Sequence, residues 1–282
     1  MATAFTKQLV IALPLLLAAI PCAGQANTPS IEEIVRRSAQ ATQQDWQRAP
    51  KFDYCELDQA GKEHRTYQVS MIEGSPYSRL VAVNGQALPT QAWDAEAKKQ
   101  AAEALGRKNE TADQHRKRVA QYERERKQNE LLLGDFADAM NFSLAGSATI
   151  DKHDTYVLDA KPKPSYVPKT AETKVLTGMK GTLWVDHESF RWAKAQAEAF
   201  RPVSIEGFLA RVEPGTRFEL EEEPVGDAAG TWLMSHLVVN AHARILFVFS
   251  KSSIEDSVYF NYKPNGTLPA EACAHQSPAS SK

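Results

Sequence analysis

No apolar run in this sequence is long enough to cross a bilayer. A spanning helix needs roughly 20 apolar residues, and the longest candidate, in MATAFTKQLVIALPLLLAAIPCAGQA, runs only from Leu9 to Ile20 and contains Pro14. Charge of one sign is also lacking. The 33 Lys and Arg against 35 Asp and Glu leave a formal net charge of −2, which gives no electrostatic case for nucleic acid or anionic lipid as a partner. The chain has no G-x-S-x-G, no H-E-x-x-H, no glycine-rich phosphate loop and no dinucleotide fingerprint. The seven histidines are scattered. His236 and His242 share a strand face but stand roughly 20 Å apart, too far to bind one ion together. No cofactor and no metal is expected, and the chain reads as a non-enzyme.

What is present begins with the short apolar run itself. Lys7 before it and small residues after it read as a secretory signal peptide over residues 1–26, with cleavage after Ala26; cleavage after Gly24 and lipidation of Cys22 are the alternatives. The remaining chain is expected to be exported, periplasmic and without a transmembrane segment. Of the three cysteines, Cys22 leaves with the leader. In an oxidising compartment Cys55 and Cys273 invite one bridge; two free thiols are the alternative.

Past the leader, Ser30 and Glu33 form a capping-box pattern ahead of a helical stripe (Ile31, Ile34, Val35, Ser38, Thr42, Trp46) that Pro50 ends. FDYCELD, RTYQVSMI and YSRLVAV read as a three-strand meander, with Asn84-Gly85 as a tight turn. Residues 89–140 are rich in helix formers. Thr111 and Gln114 form a second capping box, and Glu103–Arg107, Asp113–Lys117 and Glu123–Lys127 are favourable pairs four apart. The interspersed charges of HRKRVAQYERERKQ read as a solvated helix face, not as a nucleic-acid patch. From Phe142 the chain returns to strands: FSLAGSATI, DTYVLDAKP, MKGTLWVD, SFRWAKAQAEA, IEGFLARV, TRFELEEEP, TWLMSHLVV, ARILFVFS and SVYFNYK. Short connections make the pairing antiparallel. Eleven or twelve strands with helices gathered in two places predict one α+β domain over residues 27–263, its sheet too long to stay flat. The tail, 264–282, is expected to be disordered.

Two stretches invite a chemical reading. In FELEEEP, Glu219, Glu221 and Glu223 should line one solvated face of a strand. In GTLWVDHESFRW, Asp186, His187 and Glu188 form an acid–imidazole–acid run that suits a metal or a proton relay. A two-residue hairpin loop at His187-Glu188 accounts for the segment better. It sets Val185 opposite Phe190, Leu183 opposite Trp192, and Trp184 opposite Arg191 as a cation–π pair. The polar run then becomes a solvated tip, and Leu183, Val185, Phe190 and Trp192 share an apolar face.

TYVLDAKPK, MKGTLWVDHESFRWAKAQA and TRFELEEEPVGDAAGTWLM resemble the outer-membrane lipoprotein-sorting family of the LolA/LolB type and the related sensor domains of the RseB type. The resemblance covers roughly residues 142–263, and its motifs are structural. It implies a strongly curved antiparallel half-barrel of about 11 strands with helices over the concave face. It further implies an apolar cavity for a lipid, for lipoprotein acyl chains or for another hydrophobic ligand. Leu183, Val185, Phe190 and Trp192 are the candidates for lining that cavity. The alternatives are an envelope sensor or protein-interaction module, and a hydrolase whose site leaves no signature.

Overall fold

The computed structural model describes residues 29–205, 210–245 and 249–275. The leader expected at 1–26 lies outside these residues. Helix α1 (Ile31–Arg48) opens at Ser30, whose side chain accepts the Glu33 amide, and buries Ile34, Ser38, Ala41, Thr42 and Asp45 along one side. Strands β1 (Phe52–Asp58), β2 (Arg65–Ile72) and β3 (Ser75–Val83) form the meander, with a short β4 (Gln86–Ala87). Asn84 and Gly85 both take positive φ, 51° and 73°, as a two-residue hairpin turn of right-handed strands requires.

The helical insertion comes next, as α2 (Thr90–Lys108) and α3 (Ala112–Ala139), with both halves of the Thr111–Gln114 capping box in place. Glu103 pairs with Arg107 (Nε–Oε1 2.7 Å), while Asp113 and Glu123 reach Arg116 and Arg126, one position short of the expected partners. The remaining strands are β5 (Met140–Ile150), β6 (His153–Pro162), β7 (Met179–Asp186), β8 (Trp192–Ala199), β9 (Val203–Ile205), β10 (Ala210–Val212), β11 (Arg217–Pro224), β12 (Trp232–Ile245) and β13 (Phe249–Pro264). ARILFVFS and SVYFNYK are therefore not separate strands. β12 and β13 pair as far as Ile245 with Phe249.

All pairings are antiparallel, in the order β4-β3-β2-β1-β13-β12-β11-β8-β7-β6-β5, with β9 and β10 attached beside β12. β4 and β5 are unpaired edges, so the sheet is an open half-barrel. On its inner face α1 seats Ile34 among Leu158, Leu183, Val185, Phe190, Trp192 and Leu220, with Phe136 of α3 packed beside them. On the outer face, α4 (Ala270–Ala274) and Trp93 of α2 cover Cys55 and Val81.

This corrects the expectation of a disordered tail from residue 264. Leu268, Ala270, Cys273 and Ala274 are buried, Gln68 Nε2 donates to Leu268 O (2.7 Å), and the Gly266 amide donates to Asp53 Oδ2 (2.7 Å). Cys55 and Cys273 are bonded, with Cα atoms 5.3 Å apart. The Pro, Ala and Ser content hid a few apolar side chains, which suffice once a covalent bond pins them. Residues 276–282 lie outside the described residues.

Candidate functional site

The GTLWVDHESFRW hairpin closes differently from the expected two-residue turn. Val185 pairs with Trp192, Trp184 with Lys194 and Leu183 with Ala195, with a bulge between Trp184 and Val185. The loop is His187–Arg191, and Phe190 takes a φ of 60°. Asp186 closes it: its carboxylate accepts Ser189 N–H (2.7 Å) and Oγ–H (2.6 Å), and its carbonyl accepts Phe190 N–H (3.0 Å). A carboxylate bonding its own turn offers the chain a local alternative to the ladder. Asp186 is therefore buried, 5% exposed, and not at a solvated tip. His187 stacks on Tyr156 at 4.0 Å, and Glu188 alone points to solvent. The expected Trp184–Arg191 pair does not form. Arg37 lies over the Phe190 ring instead, at 3.5 Å.

Arg191 turns inward to α1. Its Nε donates to Asp45 Oδ2 at 2.5 Å, and Arg48 Nη1 reaches Asp45 Oδ1 at 3.3 Å. Beside this pair stands Glu222, which sequence reasoning passed over. Glu222 follows Leu220 onto the inner face by the period-two alternation of β11; the extra residue of the bulge beside it, Ser235, lies on β12. Glu219 and Glu221 face outward and both pair with Lys194 (Glu221 Oε1 at 2.8 Å), whereas Glu222 points at the Asp45–Arg191 pair. Burial pushes its carboxyl up to about 8; the Asp45 charge adds to this and Arg191 opposes it. Glu222 is thus largely protonated at neutral pH. The signal was present in the sequence, since three consecutive acids on a strand cannot all face water.

The inner face continues past this cluster as a patch of aromatic and acidic side chains. Tyr54 meets Tyr259 and Tyr262 at 5.8 and 5.4 Å between ring centroids, and Phe52 meets Tyr262 at 6.5 Å. Burial pushes all three phenols up, and Glu56 and the neighbouring tyrosines add to the shift. Glu56 is itself raised, first by burial and then by Asp58 and Glu255. Tyr262 OH donates to Met234 O (2.7 Å).

The α2–α3 hairpin is attached to this part of the molecule mainly by polar contacts. From 90 to 134 no described side chain is buried; Val119, Tyr122 and Arg126 of α3 are half-buried. Arg107 Nη1 donates to the carbonyls of Ile72 (3.0 Å) and Ser75 (2.8 Å). Arg118 donates to Glu73 O (2.9 Å) and Ser75 Oγ (2.7 Å), and pairs with Glu110 (2.7 Å). Arg126 Nη2 donates to Trp46 O (2.6 Å), and Gln43 of α1 donates to Glu130.

The four residues expected to line a cavity are brought together. Leu183, Val185, Phe190 and Trp192 are 2, 0, 5 and 6% exposed, and Trp192 Nε1 donates to Ser38 Oγ (2.6 Å). In this conformation α1 and the end of α3 occupy the space against them. Open clefts lie elsewhere. One of about 520 Å³ is lined by Lys161, Lys163, Tyr166, Lys180, Phe200 and Arg201 among others. An adjoining one of about 670 Å³ runs over the outer face past Thr182, Gln196 and Arg217. Among the described residues, no group of three or more His, Cys, Asp or Glu is arranged to hold a metal ion.

No protein-family model matches the chain, and no curated protein sequence matches it. Solved structures do. A LolA superfamily protein from Nitrosomonas europaea is 13% identical, with 87% of this chain and 98% of that one covered and a TM-score of 0.31. A putative outer membrane lipoprotein-sorting protein domain from Vibrio parahaemolyticus is 9% identical, with 83% and 95% covered and a TM-score of 0.28. The MucA/MucB complex of Pseudomonas aeruginosa is matched at 12% identity, with 84% and 99% covered and a TM-score of 0.23. The chain is similar to each of these solved structures at low identity.

Proposed function

We propose that this is a non-enzymatic, exported binding protein that takes a lipid or a lipidated partner on the inner face of its half-barrel, beneath α3. The observation that carries this reading is how the hairpin is held. Tyr122 of α3 stands beside Tyr54 of the aromatic patch, yet no described side chain between 90 and 134 is buried. Arginine–carbonyl contacts and ion pairs fasten the hairpin, and water replaces these at small net cost. Lifting the middle of α3 breaks mainly polar contacts, and an acyl chain that takes its place over the patch gains about 0.8 kcal/mol per methylene. Protonated Glu222 keeps one charge out of that space. Leu183, Val185, Phe190 and Trp192 enter as the floor on which α1 is seated, reached only if α1 shifts. The Cys55–Cys273 bond supports an oxidising compartment.

The test is organic extraction of the purified protein followed by mass spectrometry, with uptake of a fluorescent fatty acid measured in parallel. A Gln43→Cys/Glu130→Cys variant joined by a short photocleavable bis-maleimide linker, which ties α3 to α1 where these side chains meet, should lose uptake when cross-linked and regain it when the linker is cut. An empty extract without uptake, or equal uptake by the clamped protein, would sink the idea.

A further inference from the structure

The cleft of about 520 Å³ collects Lys161, Lys163, Lys180 and Arg201, and no carboxylate lines it. In a chain whose net charge is −2, that concentration is local; the carboxylates of Asp159, Glu198 and Glu219 line the adjoining cleft, which shares Lys161 and Lys180. The β6–β7 ladder ends at Ala160–Gly181, so Lys161 and Lys180 follow as directly opposed positions on neighbouring strands. Like charges so placed destabilise a sheet. Glu198 is the β8 partner of Lys180, yet among the described residues neither lysine has an ion pair. The other two cations are held by neutral groups. Lys163 Nζ donates to Ala137 O (3.4 Å) and Asp138 O (2.9 Å), and Arg201 Nε and Nη2 donate to Thr177 O (3.1 and 2.5 Å). Carbonyls orient a cation without cancelling its charge. Beside them Phe200 is 46% exposed, and Tyr166 lines the same wall with its hydroxyl bound to Asp135 Oδ2 (3.0 Å).

We propose that this cleft binds the phosphate group of an organic phosphate, with the cations on the anion and Phe200 and Tyr166 on the attached organic part. Its volume fits a small ligand, and a bound anion removes the Lys161–Lys180 repulsion. The site is separate from the face beneath α3 and does not depend on it. The phosphate is that of a lipid headgroup or of a soluble ester, and one experiment separates the two.

The full chain is sedimented with phosphatidylcholine vesicles, with and without about 30% phosphatidylglycerol, and titrated calorimetrically with glycerol 3-phosphate. Native protein should bind at least one of the anionic probes, more weakly as salt is raised. Binding confined to phosphatidylglycerol vesicles identifies a headgroup; comparable binding of glycerol 3-phosphate identifies a soluble ester. Lys161→Gln/Lys180→Gln should weaken binding about 10-fold or more with an unchanged or higher melting temperature, and Lys98→Gln on α2 should change neither. Absence of binding to both probes overturns the proposal. So does binding that survives the double variant or falls equally in Lys98→Gln, or a lower melting temperature in the double variant. The Gln43→Cys/Glu130→Cys clamp should leave this binding intact, so failure of the hairpin reading and failure of this one are told apart.

Discussion

Replacing Glu222 by glutamine should reveal a half-buried carboxyl that the fold keeps protonated. The carboxyl rises from 4.5 to about 8 because burial disfavours its charge and Asp45 adds repulsion. At about 1.4 kcal/mol per pH unit, that shift corresponds to a ceiling of about 5 kcal/mol; the residual solvent contact of Glu222 lowers the expectation to about 2–3 kcal/mol. The native state holds a proton that the unfolded chain releases between about pH 4.5 and pH 8. Stability from this group is therefore present below pH 4.5, falls as pH rises through that window, and is fully lost above about pH 8. Glutamine stays neutral throughout. Urea unfolding of native and Glu222→Gln protein at pH 5, 7 and 9 should give similar stabilities at pH 5 and a variant more stable by about 2 kcal/mol or more at pH 9. Other titrating groups cancel in the difference. Parallel pH profiles would refute the reasoning, and so would a variant that is less stable at pH 9.

Three further outcomes follow from the packing. Ser38→Ala removes the acceptor of the buried Trp192 Nε1–H and should cost about 1–3 kcal/mol in urea unfolding. Asp45→Ala removes the ion-pair partner of the mostly buried Arg191 and should cost up to about 3 kcal/mol, Glu222 ionising in part to replace it; with the Asp45 charge gone, the pH dependence assigned to Glu222 should also shrink. Cys273→Ser opens a loop of 218 residues and should cost about 5 kcal/mol in the chain-entropy model; proteolysis should then begin at α4.

Local signals explain why much of the fold was legible in the sequence. Period-two alternation placed β1 to β3, Asn84-Gly85 placed a turn by its positive φ values, and Thr111 with Gln114 placed the start of α3. The candidate site was less legible because a bulge and long-range pairs set it. Glu222 faces inward by plain alternation with Leu220, a placement the run of acids already held, but an extra residue on β8, Ala193, sets Lys194 and not Arg191 opposite Trp184. Arg191 then found Asp45, 146 residues earlier in the chain, a pairing that no local spacing encodes. Phe190 sits at a φ that glycine would have advertised and phenylalanine does not. The cleft cations were visible one by one, but balanced overall composition concealed their convergence.

The seam between β1 and β13 has a consequence for the order of events in folding. Phe52 pairs with Pro264, and Cys55 is bonded to Cys273. The meander that emerges first thus has its inner neighbour among the last residues to be made. During synthesis or translocation β1 must wait, with one edge open, for more than 200 residues. Such an edge is a template for wrong partners, and loop closure over that distance is slow. The charged α2–α3 hairpin, contiguous with the meander in sequence, is available throughout that interval and can shield the early strands until the final strand arrives.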